Sequence, residues 1–192
     1  MFGLFTQRRR RKRIARAFYN NAALAGRQPY FYAALNVPDT IDGRFEMIGV
    51  HVALYINRLN ALERPDEAQA TFDAMFSIME KSIREIGVGD LSVPKHMKRM
   101  MKGFKGRAMN YIDALKQAGN ADLTEAVKRN VYATTEEFND NHVQGIVDYI
   151  RSSYDALEKT DYDDLIDFDF ETIVQSLNEA VDNSGDKKVK HG

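Results

Sequence analysis

Residues 45–62 read FEMIGVHVALYINRLNAL, and the fold turns on this stretch. Phe45, Ile48, Val52, Ile56 and Leu59 share one face at helical spacing, while Met47, Val50 and Leu54 occupy the other side. A helix that is apolar all round is enclosed by its neighbours, so 45–62 is the expected central helix. Its most apolar part, Met47 to Ile56, contains His51 and is about half the ~20 residues needed to cross a bilayer. An integral membrane protein is therefore excluded as a reading.

Helical spacing recurs on both sides of this centre. Upstream, PYFYAAL (29–35) reads as a short aromatic helix, joined to the centre by VPDTIDGR (37–44). Downstream, Phe72, Met75, Phe76, Met79, Ile83 and Ile86 fall within about a 100° arc. Pro65 marks the start of that helix and Gly87 its stop. After Pro94, an apolar stripe runs through Met97, Met100, Met101, Phe104, Ala108, Tyr111, Ile112 and Leu115, opposite Lys95, Lys98, Arg99, Lys102 and Lys105. Val143, Ile146, Val147, Ile150, Tyr154 and Leu157 form a third face, and Ile166, Phe170, Ile173, Leu177 and Ala180 a last one. No stretch alternates with the two-residue period of a strand. The expectation is an all-α, single-domain bundle of about six or seven helices. Burial should be deepest at Ile48, Val52, Ile56, Met75, Met79, Phe104 and Tyr111.

The 192 residues suffice for one domain with a real core, and 44% hydrophobic content excludes wholesale disorder. With no cysteine, disulfides, thiolate nucleophiles, iron–sulfur clusters and thiolate zinc sites are out. The net charge of −1 hides a strong polarity. The first sixteen residues hold seven bases (Arg8, Arg9, Arg10, Arg11, Lys12, Arg13, Arg16) and no acid; residues 155–182 hold ten acids and one base, Lys159. Apolar MFGLFT precedes the basic run, the reverse of a secretory signal, so a cytoplasmic protein is expected. Residues 1–13 read as a mobile basic segment whose Arg8, Arg9, Arg10, Arg11, Lys12 and Arg13 attract phosphate on an anionic membrane or on RNA. A helical domain then spans 14–181, and 182–192 is a polar tail.

Signatures of catalysis are missing: the chain has no GxGxxG, GxxxxGK[ST], HExxH or GxSxG. His51, His96, His142 and His191 have no partner at metal-ligand spacing, and His51 reads as a core histidine held by a hydrogen bond. In DYDDLIDFDFE (161–171), Asp161 and Asp163 alternate as in a calcium loop, but Leu165 stands where a ligand is needed and the glycine is absent. These acids read as a solvated face near a helix start, where the dipole favours them. No catalytic residue, metal or cofactor is expected.

Two loops carry more glycine and aspartate than a turn requires: VPDTIDGR and IGVGDLSVP (86–94). Asp39, Asp42, Arg44, Arg84, Gly87, Gly89, Asp90, Lys98 and Met101 are the candidate partner-binding residues. They form either a polar rim around a methionine-lined apolar surface or internal braces and turn residues. Likewise the methionines are either core filling or an adaptable surface, and the lysine stripe either a solvated face or a phosphate contact.

The two loops with their flanking helices, PYFYAALNVPDTIDGRFEMIGVHVALYINRL and FDAMFSIMEKSIREIGVGDLSVPKHMKRMMKGFKGRAMNYIDAL, closely resemble the ubiquinol–cytochrome c chaperone family, and LTEAVKRNVY (123–132) resembles its next helix. The resemblance covers roughly residues 28–133. It implies a non-enzymatic assembly factor for ubiquinol–cytochrome c reductase that receives newly made cytochrome b. In the mitochondrial members it also implies a small partner subunit and contact with the ribosome at the tunnel exit. Those members carry longer N-terminal regions, so a bacterial-type member, peripheral at the inner membrane, is expected. A peripheral membrane or ribosome-binding adaptor with no client is the alternative.

Overall fold

The computed structural model describes residues 2–85 and 92–178, with side chains from residue 6 onward. Seven α-helices follow in order: α1 (Phe2–Ala25), α2 (Pro29–Ala33), α3 (Ile41–Ala61), α4 (Pro65–Glu85), α5 (Val93–Leu115), α6 (Ala121–Asn130) and α7 (Asp140–Leu157). A 3₁₀ turn (Leu165–Asp167) and a helical stretch over 170–178 complete the described residues, among which there is no strand. The fold is all-α.

The central helix is where the apolar pattern puts it. α3 packs against α1, α4, α5 and α7, and both of its faces are buried, Met47, Val50 and Leu54 as well as Ile48 and Val52. Of the seven side chains expected to be deepest, Ile48, Val52, Met75, Phe104 and Tyr111 are buried. Ile56 and Met79 are half-buried; Ile56 borders an open groove described below.

Local chemistry fixes the helix ends. The Thr40 Oγ1 accepts a hydrogen bond from the Gly43 N–H (3.1 Å), capping α3. At its other end Glu63 adopts φ 59°, while the Arg64 N–H donates to the Leu59 carbonyl (2.8 Å) and the Glu63 N–H to that of Asn60 (3.1 Å). Such a left-handed cap closes α3 within three residues of Pro65, so α3 and α4 lie antiparallel. Asn139 and His142 form a reciprocal capping box at the start of α7. Asp169, in the acid-rich stretch, accepts from the Glu171 and Thr172 N–H groups (2.9 and 3.2 Å) at the start of the last helical stretch. The Thr172 hydroxyl also donates to Asp169 (2.6 Å), and this bond first, with the two N–H bonds, holds its carboxyl below the usual range.

The basic run differs from its expected boundary. Residues 2–13 are continuous with 14–25 in one helix, α1, which packs along α4. Arginine and lysine are good helix formers, and Arg11 is half-buried against Asp66 of α4 at 2.6 Å. The expected tail at 182–192 lies outside the described residues.

Long polar clamps join the two ends of the chain. The Asn21 amide donates to the Ile166 and Phe168 carbonyls (3.1 and 2.9 Å), and Arg58 donates twice to the Thr160 carbonyl (3.0 and 2.8 Å). Arg151 of α7 donates to the carbonyls of Leu115, the last residue of α5, and of Gly119 beyond it. A cation there satisfies carbonyls that have no helical partner and opposes the negative end of the dipole.

Candidate functional site

Two polar networks lie inside the bundle. His51 is wholly buried; its Nδ1 lies 2.7 Å from the Met47 carbonyl and its Nε2 2.6 Å from the Tyr149 hydroxyl. A carbonyl only accepts, so Nδ1 carries the proton and Nε2 accepts from Tyr149. Burial disfavours the imidazolium and pushes the His51 pKa down to about 4. Phe31, Tyr149 and Phe170 surround the ring. This is a satisfied core histidine.

Sequence reasoning missed the second network. Glu46 of α3 is 7% exposed; its Oε2 meets the Arg107 Nε at 2.7 Å and its Oε1 accepts from the Tyr111 hydroxyl at 3.0 Å. Burial raises the Glu46 pKa, and Arg107 opposes that rise. The network locks α5 across α3. One signal in the sequence pointed to it, a glutamate inside an otherwise apolar run.

Among the described residues the surface holds two sizeable grooves besides smaller pockets. The first, of about 600 Å³, lies between α3, α4 and α5. Its floor is apolar, built from Ala53, Ile56, Ala68, Phe72, Phe104 and Ile112, and its rim is polar, with Asn57, Gln69, Lys105, Asp113 and Lys116. Met109 stands at its edge 63% exposed, and the Lys105 ammonium lies 5.0 Å from the centre of the Phe72 ring. Lys98, Lys102, Lys105 and Met109 of α5 and Lys116 just past its end fall within about a 60° arc, and Lys105, Met109 and Lys116 of this stripe line the groove. The second groove, of about 760 Å³, lies between α1 and α4 and is lined by Arg8, Arg11, Lys12, Arg13 and Arg16. Among the described residues no three His, Asp or Glu side chains converge as a metal site. Nor, among the described residues, is any helix long and apolar enough to cross a membrane.

The expected partner-binding residues separate into three groups. Asp39 and Arg44 meet each other in a two-pronged ion pair (2.5 and 3.1 Å), with the guanidinium 5.7 Å from the Tyr32 ring centre. That hydrogen bonding holds the Asp39 carboxyl below its usual range. Asp42 is exposed in the first turn of α3, and Arg84 bonds Glu80 at 2.8 Å on its own helix. Lys98 is exposed on the lysine stripe and Met101 half-buried beside the core; both precede the part of α5 that lines the groove, which begins at Phe104. Gly87, Gly89 and Asp90 lie outside the described residues.

The 37–44 loop is braced from within, and two substitutions separate its supports. A Cβ on Gly43 would stand 2.1 Å from the Pro38 carbonyl oxygen, a backbone atom with little room to retreat. Gly43→Ala is expected to cost about 1–3 kcal/mol. Arg44→Ala removes a solvent-exposed pair and should barely move the unfolding midpoint. Urea unfolding of both variants checks this ranking, and the reverse order would contradict it.

Comparison with known proteins gives two matches. The sequence model of the ubiquinol–cytochrome C chaperone family matches residues 33–173. The crystal structure of the Cbp3 homolog from Brucella abortus is similar at a TM-score of 0.71 and 32% sequence identity, covering 86% of this chain and 92% of that chain. No curated protein sequence matches.

Proposed function

Because the chain belongs to the ubiquinol–cytochrome c chaperone family, we propose that it receives newly made cytochrome b at the α3–α4–α5 groove and releases it to the growing reductase. Membership implies a part in assembling ubiquinol–cytochrome c reductase and favours a non-enzymatic role. The observation that carries the finer reading is the groove itself. Its apolar floor with a polar rim has the composition of a surface that takes up an apolar segment. An exposed, flexible Met109 at its edge suits varied apolar partners.

In this reading Lys105, Met109 and Lys116 form the receiving wall, and Lys98 and Met101 lie on α5 ahead of it. Asp39 with Arg44 shapes the 37–44 loop at the other end of α3. The protein works as a peripheral partner of the membrane that holds its client. Ribosome contact and a small partner subunit, implied by resemblance to the mitochondrial members, are carried as part of the same proposal.

The test is capture of cytochrome b by the tagged protein from its own cells. Met109→Glu changes an exposed side chain and should leave stability nearly intact, within about 0.5 kcal/mol. It should lower co-purified cytochrome b by roughly tenfold, the scale of one lost interface anchor. Assembled reductase should fall while soluble c-type cytochromes persist. Unchanged capture by a stable Met109→Glu protein would remove the groove as the client surface. No capture by the unaltered protein would favour a client-free adaptor.

A further inference from the structure

The second groove holds positive charge that the fold does not neutralise. Along α1, Arg8, Lys12 and Arg16 recur every fourth residue and so form one exposed stripe on the flank beside α4. Arg11 pairs with Asp66, but Arg8, Lys12, Arg13 and Arg16 have no acidic partner among the described residues. The groove sets five cations against two carboxylates, Asp66 and Asp73, and Asp73 already accepts a hydrogen bond from Gln69 at 2.8 Å. Between the walls, Ala70, Ala74 and Ile78 make a half-buried apolar floor.

We propose that this α1–α4 groove binds the anionic headgroups of a lipid bilayer, with Arg8, Lys12, Arg13 and Arg16 as the phosphate contacts and the Ala70–Ala74–Ile78 strip facing the acyl boundary. Charge complementarity selects an anion, since unpaired guanidinium and ammonium groups on a groove wall attract phosphate. Two observations favour lipid over RNA. The first turn of the same helix carries Phe2, Leu4 and Phe5, apolar residues of the kind that enter a headgroup layer. No large aromatic side chain is exposed from residue 6 onward and none lines the groove, so the groove itself offers no stacking platform for bases.

The proposal deepens the reading of a peripheral membrane partner and rests on it. It also sharpens the sequence expectation. A mobile polybasic tail uses all its bases alike, whereas a helix held on α4 uses those on one flank. Arg10 lies on another side of the helix, where its charge reaches Tyr162.

The experiment is co-sedimentation of the full-length protein with vesicles of phosphatidylglycerol and phosphatidylcholine, against pure phosphatidylcholine, at low and high salt. The unaltered protein should bind the anionic vesicles and be released by salt. A variant with Arg8, Lys12 and Arg16 changed to Gln should bind on the order of 100-fold more weakly, each base contributing a few-fold. A charge-matched control with Arg9, Arg10 and Lys159 changed to Gln should bind within a few-fold of the unaltered protein. Ser77→Glu, which alters only the α4 wall, should weaken binding as well.

Absence of any binding by the unaltered protein, or equal binding to neutral vesicles, would overturn the membrane reading itself. Vesicle binding with equal losses in the two triple variants would leave that reading standing and overturn the groove. Sedimentation with ribosomes but not with vesicles would assign the phosphate to RNA and overturn the lipid.

Discussion

Arg107→Leu is expected to destabilise the protein by about 3 kcal/mol, the lower end of the range for breaking a buried ion pair. The lower end applies because the Arg107 side chain keeps 30% of its exposure, while that of Glu46 keeps 9%. The cost comes chiefly from what stays behind, a carboxylate on α3 out of water with only the Tyr111 hydroxyl as its donor. Losing the guanidinium removes the main influence opposing burial, so the Glu46 pKa climbs further.

The sign of the pH dependence follows. A carboxyl whose folded pKa lies above its unfolded one is protonated more readily in the folded state. Lowering the pH towards the ordinary carboxylate range therefore relieves the defect. Urea unfolding should show the largest gap between variant and parent at neutral pH and a smaller one near pH 5. The double variant Glu46→Met/Arg107→Leu should recover most of the loss, because two apolar groups leave no charge stranded. A single-variant cost below about 1 kcal/mol would show that the pair is solvated and does not lock α5 to α3.

His51 governs the second large effect. Its folded pKa of about 4 lies below the ordinary 6.5, so between these values the unfolded chain holds the extra proton. Stability is complete above pH 6.5 and falls as the pH is lowered towards 4, by about 3 kcal/mol in all. Glu46 acts with the opposite sign, its raised pKa favouring the folded state in acid, so total stability does not isolate the histidine. The slope does. His51→Gln should flatten the dependence of unfolding free energy on pH between 6.5 and 4 by one proton, with Glu46 unchanged in both proteins. Equal slopes would mean that the imidazole is charged or solvated in the folded state.

The helices were legible because burial in this fold is governed by apolar spacing. Residues 45–62, 72–86, 143–157 and 166–177 state their faces in the sequence, and His51 in an apolar run announces a buried ring. What was not legible depends on partners distant along the chain. Glu46 meets Tyr111 across 65 positions, and nothing near either residue specifies the other. Arg44 and Asp39, five positions apart, read equally well as a rim or a brace, and that they pair with each other is visible only in the geometry. The half-exposure of Ile56 was hidden for a related reason: periodicity says which side of a helix is apolar, not whether a neighbour covers all of it. The basic run has no apolar period, so its continuity with α1 and its packing on α4 escaped a pattern-based reading.

The clamps between the chain ends bear on the order in which this protein is made. Tyr149 reaches His51 across 98 positions, Arg58 reaches Thr160 across 102, and Asn21 reaches Phe168 across 147. A chain growing from its N-terminus completes α1 to α6 while the His51 imidazole has no partner for its Nε2. Phe31 and Tyr55 meanwhile have neither Tyr149 nor Phe170 to cover them. The native core therefore closes only after α7 and residues 165–170 have been synthesised. Contacts this distant in sequence also slow closure and leave apolar surface open meanwhile. During its own synthesis, this family member displays the kind of unfinished apolar surface that a chaperone exists to cover.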